Sequence, residues 1–143
     1  MTRDSNSVAE TEAIAAELAK NLRSGECIAL IGELGAGKTQ FVRGMVAGLG
    51  GDPHRVSSPT FVLLNIYETP KLRVFHLDAY RLSGAEDFDA IGFTELLEQG
   101  GVVIVEWADR VAALLPPKHL VIRITHMGPD QRRIEAEAAA SAS

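Results

Sequence analysis

The sequence predicts an α/β fold, with a mixed, mostly parallel sheet that includes an antiparallel hairpin and is flanked by helices. Apolar runs of strand length alternate with amphipathic helical patterns along the 143 residues. A glycine-rich turn joins the first apolar run directly to a helix, as at the start of a βαβ unit. Two later strand candidates are separated by only a short turn, which favours antiparallel pairing. We expect one domain over residues 1–137 and a disordered tail, rich in alanine and serine, over residues 138–143.

The first predicted elements are a helix, a buried strand and a second helix. Ser7 has capping-box spacing to a glutamate three residues later, so a helix is expected to begin there and to end at Gly25. Its apolar face is formed by Ile14, Leu18 and Leu22. The continuous apolar run Cys27–Ile31 predicts a buried strand. After the turn 32–37, the second helix is expected to end at Gly50.

The second half of the chain is predicted to alternate strands and short helices. A loop over residues 52–59 comes first. The remaining predicted strands are, in chain order, the hairpin of 61–68 and 72–77, the buried strand Val102–Glu106, and the pair 120–125 and 132–136. The remaining predicted helical segments are a short helix from Ser83, a turn over 94–98 and an alanine- and leucine-rich stretch after Glu106.

The strongest motif is Gly32-Glu33-Leu34-Gly35-Ala36-Gly37-Lys38-Thr39, which matches the phosphate-binding loop G-x-x-x-x-G-K-[ST]. Its glycines allow successive backbone N–H groups to point at a phosphate, at the positive end of the following helix. Lys38 would reach the β- and γ-phosphates, and the Thr39 hydroxyl would bind Mg²⁺. An ordinary glycine turn would not explain Lys38 and Thr39. The predicted nucleotide contacts of this loop are Glu33, Leu34, Gly35, Ala36, Gly37, Lys38, Thr39 and Gln40.

Two acidic residues follow apolar strands and are candidates for the chemistry beside this loop. Asp78 ends the run RVFHLD, and Glu106 ends the run VVIVE. Ligands of open α/β sheets bind at the carboxyl ends of the strands. One acid could therefore hold Mg²⁺, directly or through water, while the other orients or deprotonates a water molecule. A solvated charge at the end of a strand is the plainer alternative for each acid. We predict Lys38, Asp78 and Glu106 as catalytic residues.

Composition and charge exclude several other classes of function. The formal net charge is −5 and no cluster of lysine and arginine stands out, which argues against direct gripping of RNA. The four histidines have no metal-ligand spacing, so no zinc site is predicted, and His76 is interpreted as structural. The apolar runs are too short to cross a membrane, and the polar N-terminus lacks a secretory signal. The single cysteine, Cys27, is predicted to be a core thiol, and a cytoplasmic location is expected.

The motifs in their order resemble those of the TsaE family, formerly called YjeE. The resemblance covers residues 11–133 and is carried by GELGAGKTQFVRG, SSPTFVLLNIYE, FHLDAYRL and EWADR. It implies a P-loop NTPase fold, binding of ATP and Mg²⁺, and slow intrinsic hydrolysis. It also implies action with TsaD and TsaB, which move the threonylcarbamoyl group made by TsaC onto the tRNA adenosine beside the anticodon. This chain would hydrolyse ATP to support repeated turnover and would meet tRNA only through its partners.

The resemblance also implies roles for individual residues. Asp78 matches the functional acid of the H-x-D-x-Y-R segment. Thr39 and Glu106 match the metal-associated hydroxyl and acid, so we predict them as the metal ligands. Other matching positions are Thr60 in a switch-like segment, Trp107 at the nucleotide pocket or partner surface, Thr11 near the adenine, and Arg132 or Arg133 near the nucleotide, of which Arg132 is the one predicted.

Two other nucleotide-binding classes are weighed against this prediction. A small-molecule kinase needs an arginine-bearing lid that shields the transferred phosphoryl group from water. The segment between Glu106 and Pro116 is short and contains only Arg110, which argues against such a lid. A GTPase would carry the guanine-binding motif N/T-K-x-D, and no lysine of this chain is followed by an aspartate two residues later.

Overall fold

The fold is an α/β sandwich around one mixed sheet. The computed structural model describes residues 1–33, 37–56, 64–79, 92–108 and 115–138. The strands in this part of the chain are β1 (Thr2–Ser5), β2 (Cys27–Gly32), β3 (Leu64–Tyr67), β4 (Val74–Asp78), β5 (Val102–Glu106), β6 (Leu120–His126) and β7 (Arg132–Ala138). The helices there are α1 (Val8–Ala19), α2 (Lys38–Gly48) and α3 (Phe93–Glu98), with a 3₁₀ turn at Pro53–Arg55.

The sheet is parallel in its centre and antiparallel at both sides. Within the described residues it has seven strands in the order β1-β7-β6-β2-β5-β4-β3. Strands β4, β5, β2 and β6 are parallel neighbours, whereas β3–β4, β6–β7 and β1–β7 are antiparallel pairs. The predicted α/β fold is therefore confirmed, with a mixed sheet that is parallel in its middle and includes the predicted hairpin. The carboxyl ends of the four central strands meet at one edge, where this class of sheet binds its ligands.

Two apolar layers cover the two faces of the sheet. The β2 side chains alternate, so Ile28 and Leu30 pack toward α1 and α2 while Cys27 and Ala29 pack toward α3. β4 and β5 are buried along their whole lengths, as expected of central parallel strands. Burial raises the pKa of the Cys27 thiol to about 12, since the thiolate would lose its hydration, which agrees with a core thiol.

The N-terminal region differs from the prediction in two ways. α1 ends at Ala19 and not at Gly25, because the N–H groups of residues 20–22 turn to carbonyls three residues earlier and tighten the last turn. Leu22 lies beyond the helix and is nonetheless buried. β1 was not predicted, because its sequence, TRDS, has no apolar pattern. It forms because β7 offers an open edge for antiparallel pairing.

The other boundaries differ by small amounts. β4 begins at Val74, two residues later than predicted, and the turn predicted over 94–98 is the helix α3. β7 runs to Ala138, one residue past the predicted end of the domain. The short helix predicted from Ser83, the segment 57–63 and most of the stretch after Glu106 lie outside the described residues.

The two helices on one face approach each other through glycine. A Cβ added to Gly48 would lie 2.5 Å from the carbonyl oxygen of Ala16, and one added to Gly44 would overlap the carbonyl oxygen of Glu12. Both obstacles are backbone atoms of α1, which cannot rotate away. The phosphate loop leads directly into α2. The close contact between α1 and α2 therefore depends on the absence of side chains at these two positions of α2.

We expect Gly44→Ala to destabilise the protein. Alanine normally favours a helix over glycine by about 1 kcal/mol, but here the added methyl group must push two backbones apart. Overpacking of this kind costs roughly 1–3 kcal/mol and sometimes more. Urea unfolding followed by circular dichroism would measure the loss. Ala47→Ser, at an exposed position of the same helix, is the control and should change stability by less than about 0.5 kcal/mol. A Gly44→Ala protein as stable as the wild type would contradict this account of the helix contact.

Candidate functional site

The two acidic residues end adjacent parallel strands. Asp78 is the last residue of β4 and Glu106 the last residue of β5, and the register pairs them directly. Both are buried, at 7% and 5% exposure. Paired residues of neighbouring strands project to the same face, so both carboxylates lie on the face covered by α1 and α2. The plainer alternative of a solvated charge ending a strand does not fit this burial.

The phosphate loop begins at the end of β2, next to β5. β2 ends at Gly32, Glu33 is exposed, and α2 begins at Lys38. Gly37 caps this helix with a φ of 101°, a conformation in which glycine is strongly favoured. Thr39 and Gln40 follow in the first turn of α2 and are partly buried. The predicted contacts Leu34, Gly35 and Ala36 lie outside the described residues, as do Thr60 and its segment.

Lys38 connects the loop to the acids. Its Nζ lies 3.9 Å from Glu106 Oε1, and both side chains are only 7% exposed. The same Nζ lies 3.9 Å from the centroid of the Trp107 ring, within the range of a cation–π contact. The distance to the carboxylate is long for a hydrogen bond and fits an electrostatic contact. A phosphate group placed beside the loop would therefore compete with Glu106 for the charge of Lys38.

Trp107 has a conformation that sets it apart from an ordinary core tryptophan. Its φ is 58°, in the left-handed region that residues other than glycine rarely adopt. Such outliers concentrate at functional sites. The ring packs partly against the apolar layer of α3 and partly under Lys38. Trp107 and Glu33 also line one cavity of about 420 Å³ beside the start of the phosphate loop. Trp107 therefore packs in the core and also contacts Lys38 at the end of the phosphate loop.

Arg132 lies beside the phosphate loop, next to Gly37. The Arg132 Nε lies 3.7 Å from the point that a Cβ on Gly37 would occupy. Arg133 instead donates from Nε to Asp4 Oδ1 at 3.0 Å, among exposed side chains. Of the two arginines considered, Arg132 is therefore the one beside the loop.

Thr11 belongs to the same region through β1. It is 2% exposed and its hydroxyl lies 2.7 Å from that of Ser5, which is also buried. Ser5 is paired in register with Arg132 across β1 and β7. The sequence offered no signal for Ser5, because its strand could not be predicted from a polar N-terminus.

His76 is the site residue that sequence reasoning missed. It is fully buried, and its Nε2 lies 2.5 Å from Glu106 Oε2 while its Nδ1 lies 3.3 Å from the Tyr67 hydroxyl. The interpretation as a purely structural histidine therefore leaves out its contact with a predicted catalytic acid. The available signal was spacing: His76 precedes Asp78 by two residues on one strand, so their side chains share a face.

The side chains at this edge suit a hard cation. Oxygen atoms are available from the Thr39 hydroxyl and from the carboxylates of Asp78 and Glu106. Mg²⁺ in nucleotide sites takes one or two protein oxygens and completes its shell with phosphate and water. Among the residues that the structure describes, no group of three or more histidine, cysteine, aspartate or glutamate side chains could hold a metal ion. The oxygen donors at this edge suit a divalent cation that takes only one or two protein ligands.

Comparisons with known proteins agree with the motifs. The family model "Threonylcarbamoyl adenosine biosynthesis protein TsaE" matches residues 5–134. The chain is 36% identical to the tRNA threonylcarbamoyladenosine biosynthesis protein TsaE of Rickettsia prowazekii, over 89% of this chain and 88% of that protein. It is 41% identical to the protein of that name from Treponema pallidum, over 79% and 82% of the two chains. For the Bacillus subtilis protein the identity is 38%, over 87% and 77%.

The fold has a close match among solved structures. The crystal structure of Bacillus subtilis YdiB superposes with a TM-score of 0.78 and 31% identity, covering 98% of this chain and 85% of that one. In the described part of the chain, no helix is long and apolar enough to span a bilayer.

Proposed function

The chain belongs to the TsaE family of threonylcarbamoyl adenosine biosynthesis proteins, and we propose that it is an ATP-hydrolysing accessory protein in the modification of tRNA. Its role in this pathway follows from the family. The proposal adds that it hydrolyses ATP, that it acts with TsaD and TsaB in the cytoplasm, and that hydrolysis supports repeated rounds of threonylcarbamoylation. The transfer of the threonylcarbamoyl group itself would be carried out by the partners.

The observation that carries the proposal is the meeting of Lys38, Asp78 and Glu106 at the ends of three neighbouring elements. Lys38 opens α2 directly after the phosphate loop, and the two acids end the adjacent strands β4 and β5. All three are at most 7% exposed. Phosphoryl transfer needs positioned positive charge at the phosphates and a residue that orients the attacking water. This constellation would supply both, and the burial of the three side chains would keep most bulk water away.

Each residue would have a distinct task. The N–H groups at the start of α2 would bind the phosphates at the positive end of the helix. Lys38 would leave Glu106 and stabilise the charge that develops on the β- and γ-phosphates. Asp78 would orient, or accept a proton from, the water that attacks the γ-phosphorus. Thr39 and Glu106 would hold Mg²⁺, which when bound neutralises phosphate charge. Arg132 and Thr11 would contact the nucleotide from the side of β1 and β7.

The charge of the chain supports indirect contact with tRNA. The net charge is −5, and a protein that bound RNA alone would need a surface that neutralises phosphates. We therefore place tRNA on the TsaD–TsaB complex and give this chain the nucleotide-dependent step. Docking on that complex would complete the site and accelerate hydrolysis.

Trp107 should report the nucleotide directly. It is the only tryptophan of the chain, and the ammonium group of Lys38 lies against its ring. Because ATP would draw Lys38 toward the phosphates, we expect the intrinsic fluorescence to change when ATP is added with Mg²⁺. A titration followed at the tryptophan emission maximum would measure this. AMP, which lacks β- and γ-phosphates, should give a much smaller change. Equal changes with AMP and ATP would argue that Lys38 does not move to the phosphates.

The proposed function is tested by ATP hydrolysis with and without TsaD–TsaB from the same organism. We expect low release of inorganic phosphate from the chain alone and a clear rise when the partners are added. The phosphate should appear as free phosphate, because water is the acceptor. Transfer of the γ-phosphoryl group to a small metabolite, with no response to the partners, would show that the protein is a kinase and would reject the proposal.

A further inference from the structure

A buried chain of hydrogen bonds links the edge strand of the sheet to the candidate metal-binding acid. It runs from the Tyr67 hydroxyl on β3 to His76 on β4 and on to Glu106 on β5. His76 is fully buried, and Tyr67 and Glu106 are nearly so. The rings of Tyr67 and His76 also contact each other, with centroids 5.9 Å apart. Three neighbouring strands thus each contribute one member of a polar row inside an otherwise apolar layer.

When Glu106 is ionised, only one assignment of donors and acceptors satisfies Tyr67, His76 and Glu106 together. A carboxylate can only accept, so His76 Nε2–H donates to Glu106 Oε2. His76 Nδ1 is then the acceptor, and the Tyr67 hydroxyl donates to it. The imidazole is in this way held as the Nε2–H tautomer, with both ring nitrogens satisfied. The ring position is fixed by Tyr67 on one side and by the carboxylate on the other.

This row of hydrogen bonds places the two oxygens of Glu106 in different surroundings. Oε2 lies 2.5 Å from His76 Nε2, whereas Oε1 lies 3.9 Å from Lys38 Nζ, on the side of the phosphate loop. A glutamate carboxylate without a partner would rotate freely about its last torsion. With one oxygen bound by His76 Nε2–H, the plane of the carboxylate is held in one orientation. The other oxygen then faces the phosphate loop.

We propose that His76, held by Tyr67, is a positioning residue that binds one carboxylate oxygen of Glu106 and keeps the other directed at the Mg²⁺–ATP site. The proposal rests on the proposed function for the use that Glu106 makes of this second oxygen. It treats His76 and Tyr67 as acting through Glu106, without contact to substrate. Partners that orient a ligating side chain in this way typically matter about 10-fold to 100-fold for metal affinity or activity.

Two amide substitutions separate positioning from simple packing. The side-chain nitrogen of His76→Gln can occupy the place of Nε2 and still donate to Glu106. The shorter side chain of His76→Asn reaches only the place of Nδ1 and loses that bond. Both variants replace the ring by a buried amide, so each serves as the packing control of the other. Thermal unfolding of both variants would check that each is still folded at the assay temperature.

We expect the two variants to differ in their requirement for Mg²⁺. His76→Asn should raise the Mg²⁺ concentration for half-maximal ATP hydrolysis by roughly 10-fold or more, and His76→Gln should stay within about 3-fold of the wild type. Trp107 fluorescence should give the same order for Mg²⁺-dependent ATP binding, without any need for turnover. Equal Mg²⁺ requirements in both variants would overturn the proposal.

The state of the histidine ring provides a readout that does not depend on the activity. In protein labelled with ¹⁵N-histidine, long-range ¹H–¹⁵N spectra at one neutral pH should show His76 as the Nε2–H tautomer. Tyr67→Phe, which removes one hydroxyl and keeps the ring packing, should weaken the preference for that tautomer. An Nδ1–H tautomer in the wild type would overturn the proposal. If the tautomer is as expected but the wild-type protein never hydrolyses ATP with its partners, the proposed function fails and the positioning of Glu106 stands.

Discussion

Lys38→Ala is expected to abolish productive ATP binding and to reduce ATP hydrolysis by roughly 100-fold to 1000-fold, the range seen when one preorganised charge-stabilising group is removed. Lys38 is buried, begins α2 and lies against both Glu106 and Trp107. Its loss would therefore remove the cation that binds the phosphates. It would also remove the positive charge that lies beside the Glu106 carboxylate. Phosphate release with the TsaD–TsaB complex present measures the loss of hydrolysis, and ATP titration measures the loss of binding.

Lys71→Ala is the matched control for this prediction. Lys71 donates from Nζ to the backbone carbonyl of Lys20 at an exposed position away from the phosphate loop. The Lys71→Ala substitution removes the same charge from the protein and should leave ATP hydrolysis unchanged. The prediction for Lys38 is wrong if the two alanine variants hydrolyse ATP at the same rate.

The acid variants Asp78→Asn and Glu106→Gln are expected to reduce hydrolysis by about 100-fold or more while changing ATP affinity much less. The carboxylates act on water and on the charge that develops during the reaction, whereas the helix N-terminus and Lys38 provide most of the binding. Loss of kcat with little change in binding is the signature of an interaction made mainly in the transition state. Single-turnover hydrolysis together with equilibrium ATP binding separates the two quantities.

Glu98→Gln, at an exposed position of α3, is the control for the charge that these substitutions remove. It should behave as the wild type in both measurements. Wild-type-like turnover in both acid variants would remove the two-carboxylate part of the mechanism. A loss confined to one of them would identify which acid the reaction uses.

The central elements could be predicted from the sequence because their signals are local. β2 and β5 are continuous apolar runs, and the glycine-rich motif between β2 and α2 has fixed residue types at fixed spacing. The hairpin of β3 and β4 followed from the short separation of two strand patterns. β1 could not be predicted, since its four polar residues become a strand only when β7, near the other end of the sequence, supplies a partner.

The two acids and the phosphate loop of the candidate site could be predicted from the sequence. The contacts that orient them could not. Asp78 and Glu106 each end an apolar run, so their common edge followed from the parallel arrangement. The contact of His76 with Glu106 depends on how β4 and β5 are aligned, which no local pattern encodes. The same holds for Ser5, whose contact with Thr11 exists only once β1 has joined the sheet.

The most direct test of the account counts the tRNA molecules modified per TsaD–TsaB complex when threonylcarbamoyl-adenylate is in excess. With the wild-type protein, ATP and Mg²⁺, we predict many rounds of modification per complex, accompanied by release of phosphate. With Lys38→Ala, modification should stop after a single round. Many rounds with the Lys38→Ala protein, or with no ATP present, would show that hydrolysis at this site does not support turnover and would contradict the central claim.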